Sequence, residues 1–230
     1  MPSTKLHNFI VSFDNSEEYH HLKQEIFTQD CYYFESESAS PVIIDVGAHI
    51  GLATLYFKKL FPLSRIMAIE PNPRSYELLR ENVEQNRLED VELRQIAVSA
   101  GEEELTLFRD TTPEQWHSTA GILDGAWNET QESEPFTVFA EPLTAVLATP
   151  IDLLKMDIEG MEEEVLRAAQ SQLHFVKRLM CEFHPVPHQS LARLVSFLEN
   201  ENFTIELYKG GKSIALKKAR GLILIEAVRH

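Results

Sequence analysis

From Pro41 onward the chain alternates short apolar runs with helical patterns, and this alternation narrows its fold more than any other feature. Val42-Ile43-Ile44-Asp45-Val46 is an apolar run of the kind buried on both faces of a parallel sheet. A helical pattern over 51–60 follows, and then a second strand, Arg65-Ile66-Met67-Ala68-Ile69-Glu70. Asn72 is placed as an N-cap with Pro73 at the first helical position, opening a helix that buries Tyr76, Leu79 and Val83. A third strand is expected over 91–96. The rhythm resumes with a strand over 151–156, a helix from near Gly160 that buries Val165, Leu166 and Ala169, and a strand over 176–183. A helix with Leu191, Leu194, Val195 and Leu198 on one face comes next, and residues 203–208 and 222–227 form a closing antiparallel pair around Gly210-Gly211. Strands separated by helices imply parallel pairing with right-handed crossovers. The expected fold is therefore α/β: a doubly wound, mostly parallel sheet with an antiparallel C-terminal strand.

Two segments depart from the rhythm. Residues 1–40 are acidic and aromatic, with Phe9, Phe13, Tyr19, Phe27, Tyr32, Tyr33 and Phe34 among Glu and Ser. Leu22, Glu25 and Ile26 suggest a helix over 16–28, and the segment is expected to be an appendage on the sheet or a lid over a substrate. Residues 99–150 form an insertion. It carries strand-like stretches at 104–108 and 136–139 and a loop with Trp116, His117, Gly121, Gly125 and Trp127. Loops of that length inside a compact domain are often functional. The division expected is an N-terminal piece, 1–40, and one domain over 41–230.

The residues that carry chemistry sit where the predicted strands end. In Asp45-Val46-Gly47-Ala48-His49-Ile50-Gly51, Gly47 lets the backbone turn without a side chain and Gly51 lets the next helix approach the sheet. Asp45 and the turn amides are expected to hold the polar amino-acid end of a cofactor. A dinucleotide site would show G-x-G-x-x-G, with amides and a helix end on a pyrophosphate. Here there are two glycines and an acid in front, a pattern suited to S-adenosylmethionine (SAM), which has no phosphate. Glu70 ends the second strand, where an acid can accept from both ribose hydroxyls. Leu154-Lys155-Met156-Asp157-Ile158-Glu159-Gly160 ends the fourth, and Asp157 is expected close to the transferred methyl. Cys181-Glu182-Phe183-His184-Pro185 ends the fifth, and His184 is the first candidate for a general base. Structural roles are expected for His188 and for His49.

Three of these stretches, the Asp45 to Gly51 turn, Glu70-Pro71-Asn72 and Lys155-Met156-Asp157-Ile158-Glu159-Gly160-Met161-Glu162, resemble the motifs of FkbM-type methyltransferases over roughly residues 40–185. The resemblance implies a class I methyltransferase fold, SAM as methyl donor and oxygen as the usual acceptor, often on sugars or natural products. By position it places Asp45, Gly47 and Gly51 around the methionine end and Glu70 on the ribose, with Ala48, Pro71 and Asn72 as further cofactor-binding residues. It places Ala97 beside the adenine and Asp157 at the reaction centre. His117-Ser118-Thr119-Ala120-Gly121 loosely matches the hydroxyl-rich patch of the family.

Methyl transfer is an in-line displacement that depends on near-attack geometry. His184 is the expected base, Asp157 the orienting group or an alternative base, and Glu182 their neighbour. Asp157, Glu182 and His184 also have donor types that suit Mg²⁺ or Mn²⁺. Sequence alone does not show that the three converge, so a metal-free site is the expectation.

Composition trims the partners. With 21 Lys and Arg against 36 Asp and Glu, the formal charge is 21 − 36 = −15. That disfavours nucleic-acid phosphates and anionic membrane surfaces, and a small-molecule, sugar or lipid-like acceptor fits better. Cys31 and Cys181 are two distant thiols, and no apolar leader or long apolar run appears, so a reduced cytoplasmic protein without a membrane span is expected. The sequence is compatible with a homodimer. Its rivals are a nicotinamide-dependent oxidoreductase, a nucleic-acid methyltransferase, and a non-catalytic binding module that keeps the fold.

Overall fold

The computed structural model describes residues 2–111, 120–122, 124 and 133–229. The chain opens with a hairpin, β1 (Ser3–Leu6) and β2 (Phe9–Ser12), which the mixed polarity of these residues gave no reason to expect. Helix α1 (Ser16–Lys23) follows, capped by the Asn15 side chain, which accepts from the amides of Glu17 and Glu18. It runs directly into a π-helical turn (Gln24–Thr28), so the single helix expected over 16–28 has two windings.

The central layer begins with β3 (Val42–Val46), α2 (Leu52–Leu60), β4 (Arg65–Ile69), α3 (Pro73–Gln85) and β5 (Val91–Arg94). Strand β3 pairs in parallel with β4, and β4 with β5. After the insertion come β9 (Leu153–Met156), α5 (Glu162–Ala168), β10 (Arg178–Phe183), α6 (Leu191–Asn200), β11 (Phe203–Lys209), β12 (Lys212–Ser213) and β13 (Ile223–Arg229). Strand β9 pairs in parallel with the other edge of β3 and with β10. The last strand, β13, slots antiparallel between β10 and β11. The resulting order is β12-β11-β13-β10-β9-β3-β4-β5. Successive units wind one way from β3 to β5 and the other way from β9, so the switch point lies between β3 and β9. Ligands of open α/β sheets sit at that point, beyond the carboxyl ends of the strands.

Both faces of the sheet are buried, which accounts for the near-continuous apolar runs of its strands. Ile44, Val46, Leu154 and Met156 pack with Val165, Leu166, Leu194 and Leu198 from α5 and α6. Ile43, Ala68 and Leu153 face Leu55, Tyr56 and Phe57 of α2 and Leu78 and Leu79 of α3. The second of these cores also takes in Tyr19, Phe27, Tyr32 and Phe34, so much of the aromatic content of residues 1–40 is packed onto α2. Within it, Phe27 meets Tyr56 edge-on at 5.4 Å.

A separate small sheet is formed by β6 (Ala97–Ser99), β7 (Glu103–Asp110) and β8 (Ser133–Pro142), in the order β6-β8-β7. The strand expected over 91–96 ends at Arg94 because the chain leaves the main sheet there and re-pairs as β6. A short helix, α4 (Leu143–Val146), returns the chain to the main layer. Trp116, His117, Gly125 and Trp127 lie outside the described residues.

The hairpin is tied down by Asn82 of α3 and by Asn86, its C-cap. The fully buried Asn82 accepts from the Ser12 amide (2.7 Å) and donates to the carbonyls of Ser12 (3.0 Å) and Ile50 (2.8 Å). Asn86 does the same for Ile10. Asn82→Ala leaves three buried backbone groups short of a partner, and chemical denaturation is expected to show a loss of about 2–3 kcal/mol.

Candidate functional site

Three strand ends meet at the switch point. The turn after β3 is a tight one: the amides of Gly47 and Ala48 both donate to the Ile69 carbonyl at the end of β4, at 2.9 Å each. The next amide, of His49, donates to Glu70 Oε2 at 2.8 Å, and Glu70 Oε1 accepts from the Asn72 amide at 2.9 Å. Gly47 has φ +74°, and a Cβ there would stand 1.8 Å from the carbonyl oxygen of Asp157. Only glycine lets β3 and the end of β9 close against each other.

Lys155 locks this arrangement. Its side chain is 3% exposed, and its ammonium donates to the Gly47 carbonyl at 2.5 Å while lying 3.4 Å from Asp45 and 3.8 Å from Asp157. Burial alone would lower its pKa, but Asp45, Asp157 and Glu182 outweigh burial and hold it above the ordinary lysine value. Asp45 is fully buried, accepts from the Thr54 hydroxyl at 2.8 Å, and does not line the crevice. The amides of Gly47, Ala48 and His49 are taken by Ile69 and Glu70, and Asp45 supports the turn from beneath through Lys155. Gly51, at φ +90°, packs its backbone against Leu79 of α3 rather than against the sheet.

Along the ends of β3, β4 and β9 runs a crevice lined by Val46, Gly47, Ile69, Glu70, Pro71 and Asp157, and walled by Ile96, Ala97, Val98, Leu107 and Met161. Ala97 and Pro71 thus line this crevice, Asn72 caps α3, and Ala48 faces a neighbouring cavity. Glu70 is 6% exposed. Burial, with Asp157 nearby, pushes its carboxyl up to about 7 against the two amide hydrogen bonds and Lys155, which pull it down. No Lys or Arg lines this crevice among the described residues, and three acids, Glu70, Asp157 and Glu159, do. A pyrophosphate would find the amides of Gly47, Ala48 and His49 already taken and, among the described residues, no cation in the lining, which disfavours a nicotinamide dinucleotide. The apolar walls and the acids of the lining suit a sulfonium nucleoside.

A second cavity, of about 230 Å³, adjoins the first and shares Gly47, His49, Asp157 and Glu159 with it. Its other walls include Glu25, Ile26, Cys31 and Tyr32 of the N-terminal segment and Glu182 and His184 at the end of β10. His184 is buried. Its Nδ1 lies 2.8 Å from Glu162 Oε1, and its Nε2 lies 3.3 Å from Glu159 Oε2 and 3.7 Å from Asp157 Oδ1. Gln189 braces the pair, donating to Glu162 and to the His184 carbonyl. Burial works against the imidazolium, but Glu159, Glu162 and Asp157 hold His184 well above the ordinary histidine range. The Tyr32 hydroxyl donates to Glu182, whose own carboxyl is raised by burial and by Asp157. Asp157, Glu182 and His184, three residues far apart in sequence, thus bring ligand atoms within 4.8 Å of one another.

Of the residues given structural roles from sequence, His188 hydrogen-bonds the Gly160 carbonyl at 2.9 Å, and His49 has its ring 3.3 Å from Glu18. Of the hydroxyl-rich patch, His117, Ser118 and Thr119 lie outside the described residues, while Ala120 lines the first crevice and Gly121 abuts Glu159. Sequence reasoning gave no role to Lys155, Glu162, Gln189 or Tyr32. Lys155 and Glu162 were visible inside a motif, but nothing in their spacing revealed that each braces a group on another strand.

The doubly wound sheet with an acid-lined crevice at its switch point is that of the class I SAM-dependent methyltransferases. Within that class, the family model of the methyltransferase FkbM domain matches residues 45–205, and the chain belongs to this family. It is 30% identical to methyltransferase sdnD of Sordaria araneosa, over 80% of this chain and 82% of that protein. It is 28% identical to the 31-O-demethyl-FK506 methyltransferase FkbM of Streptomyces tacrolimicus, with 85% of each chain covered. Among solved structures it resembles methyltransferase FkbM from Methylobacillus flagellatus KT, with a TM-score of 0.53 and 16% identity, over 84% of this chain and 45% of that one. It also resembles M. jannaschii TYW2 in complex with AdoMet, with a TM-score of 0.53 and 16% identity, over 99% and 86% of the two chains. No helix among the described residues is long and apolar enough to cross a membrane.

Gly47→Ala tests the closure of the turn. A left-handed alanine that must also displace a backbone carbonyl should lower unfolding free energy by about 2–4 kcal/mol, read by urea denaturation. A neutral result would mean that the β3 and β9 ends are not this close.

Proposed function

We propose that this chain methylates a hydroxyl of a small-molecule acceptor, such as a sugar or natural product, and that the acceptor enters the cavity between the N-terminal segment and the ends of β9 and β10. One observation carries the reading: Asp157 and Glu159 line both the cofactor crevice and this second cavity, so the two open onto the same carboxylates. The relatives support oxygen as the acceptor atom, since one is named a 31-O-demethyl-FK506 methyltransferase and another, 24% identical, the 2-O-methyltransferase NoeI of Sinorhizobium fredii.

Bound SAM supplies a methyl carbon on a sulfonium, which the acceptor oxygen attacks in line as the C–S bond breaks with its electron pair going to sulfur. The chain's own residues do the rest. Glu70 holds the ribose hydroxyls, and Ile96, Ala97, Val98 and Leu107 clasp the base. Asp157 orients the reacting end. Asp157 and Glu182 fix the acceptor hydroxyl on the line of attack and take its proton, while His184, held above the ordinary histidine range by Glu159, Glu162 and Asp157, orients Asp157 rather than serving as the base. The gain comes mainly from this positioning, because aligned groups behave as though highly concentrated. Residues 1–40 act as the acceptor-side wall through Ile26 and Tyr32.

Two measurements test the reading. With isotopically labelled SAM, the label should appear as an ether on hydroxylated acceptors and be absent when that hydroxyl is blocked; transfer to blocked acceptors would overturn O-methylation. S-adenosylhomocysteine (SAH) affinity should also fall as pH drops through about 7, because ribose hydroxyls bind the ionised Glu70 and binding must expel its proton. Glu70→Gln should weaken SAH by about 1.5–3 kcal/mol and flatten that dependence. A variant with wild-type affinity and an unchanged pH profile would place the ribose elsewhere.

A further inference from the structure

We propose that Asp157, Glu182 and His184 form a binding site for a hard divalent cation, Mn²⁺ in preference to Mg²⁺, at the base of the acceptor cavity. The inference rests on reading that cavity as the acceptor site, but its test does not.

Four features of the site support it. The first is convergence: the donor atoms of the three residues lie within 4.8 Å of one another, and His184 Nε2 stands 3.7 Å from Asp157 Oδ1. A six-coordinate cation with bonds of about 2.1 Å spaces its ligands about 3 Å apart when adjacent and about 4.2 Å when opposite. Small side-chain rotations bring the three donors into that range.

The second is unmet capacity. Glu159 is 10% exposed, and its Oε2 accepts no hydrogen bond although it lines the cavity and lies 3.3 Å from His184 Nε2. Asp157 Oδ1 likewise accepts none, and both oxygens face the same single ring nitrogen of His184. One nitrogen cannot satisfy two buried carboxylate oxygens, which ordinarily each have a hydrogen bond, an ion pair or a metal.

The third is the bracing of the histidine. Glu162, fully buried, takes the Nδ1 side of the His184 ring, and Gln189 and the Gly160 amide hold Glu162 in turn. A carboxylate behind one ring nitrogen, with the other turned toward acids, is the usual outer support of a metal-binding histidine. Tyr32 fixes Glu182 in the same way.

The fourth is charge. Asp157, Glu159, Glu162 and Glu182 surround one imidazole, and the nearby ammonium of Lys155 is shared with Asp45. A divalent cation balances this excess. One imidazole among carboxylates suits Mn²⁺, which tolerates nitrogen better than Mg²⁺ does. In that position the cation would bind the acceptor oxygen and lower the pKa of its hydroxyl.

The test is a Mn²⁺ titration of the chelator-treated full-length protein, followed by the electron paramagnetic resonance of free Mn²⁺, with SAH affinity measured on the same samples. The wild type should sequester one Mn²⁺ per chain. Glu182→Gln, which keeps the side-chain shape, should weaken binding at least about tenfold while SAH affinity stays within twofold, which also certifies the fold. Glu162→Gln, which touches no metal, should weaken Mn²⁺ by about 10–100-fold through the histidine. No bound Mn²⁺ at about 1 mM, or equal binding by wild type and Glu182→Gln, would overturn the site whatever the SAH result. Absence of SAH binding with a Glu182-dependent Mn²⁺ site would instead count against the cofactor reading alone.

Discussion

The site depends on one buried ammonium. Lys155 enters from β9 and ties together the carbonyl of the Gly47 turn, the Asp45 carboxylate beneath it and the Asp157 carboxylate beside it. A charge this deep is tolerated only with good partners, and removing one partner from such a group typically costs about 3–5 kcal/mol. The lysine therefore fixes the distance between the ends of β3 and β9. That distance sets the floor of the cofactor crevice and the direction of Asp157. Gly47 is the steric counterpart of the same constraint, since no side chain fits where the Asp157 carbonyl approaches.

On this floor the two cavities diverge in character. The crevice over β4 and β6 has apolar walls in Ile69, Ile96, Ala97, Val98 and Leu107, with Glu70, Asp157 and Glu159 as its acids. The cavity over β10 is acidic, with Glu25, Asp157, Glu159, Glu182 and His184 in its wall. The N-terminal segment serves both stability and site: its aromatic rings fill the core over α2, and Tyr32 holds Glu182 in the wall.

Much of the scaffold was legible in the sequence because it follows from period and punctuation. The apolar runs at 42–46 and 65–69, the Asn72–Pro73 cap and the helix over 191–200 lie where their patterns put them. The extra strands at 104–108 and 136–139 are also present, each longer than expected. The N-terminal hairpin was not legible, because its stability comes from Asn82 and Asn86, some 70 residues away, rather than from its own pattern. The same limit applied to the site. The ends of β3, β4, β9 and β10 pointed to Gly47, Glu70, Asp157 and His184. The retreat of Asp45 beneath the turn, and the bracing of His184 by Glu162, are properties of side chains meeting across strands. Spacing along the chain carries no trace of them.

The central claim is that the cofactor lies across the β3, β4 and β9 ends with its reactive sulfur facing Asp157 and the acidic cavity. A crystal structure of the full chain with SAH tests it most directly. The account predicts ribose hydroxyls on Glu70, adenine between Ala97 and Leu107, and the sulfur directed at Asp157 on the side where Glu182 and His184 stand. SAH bound away from Glu70, or with its sulfur turned from the second cavity, would contradict it.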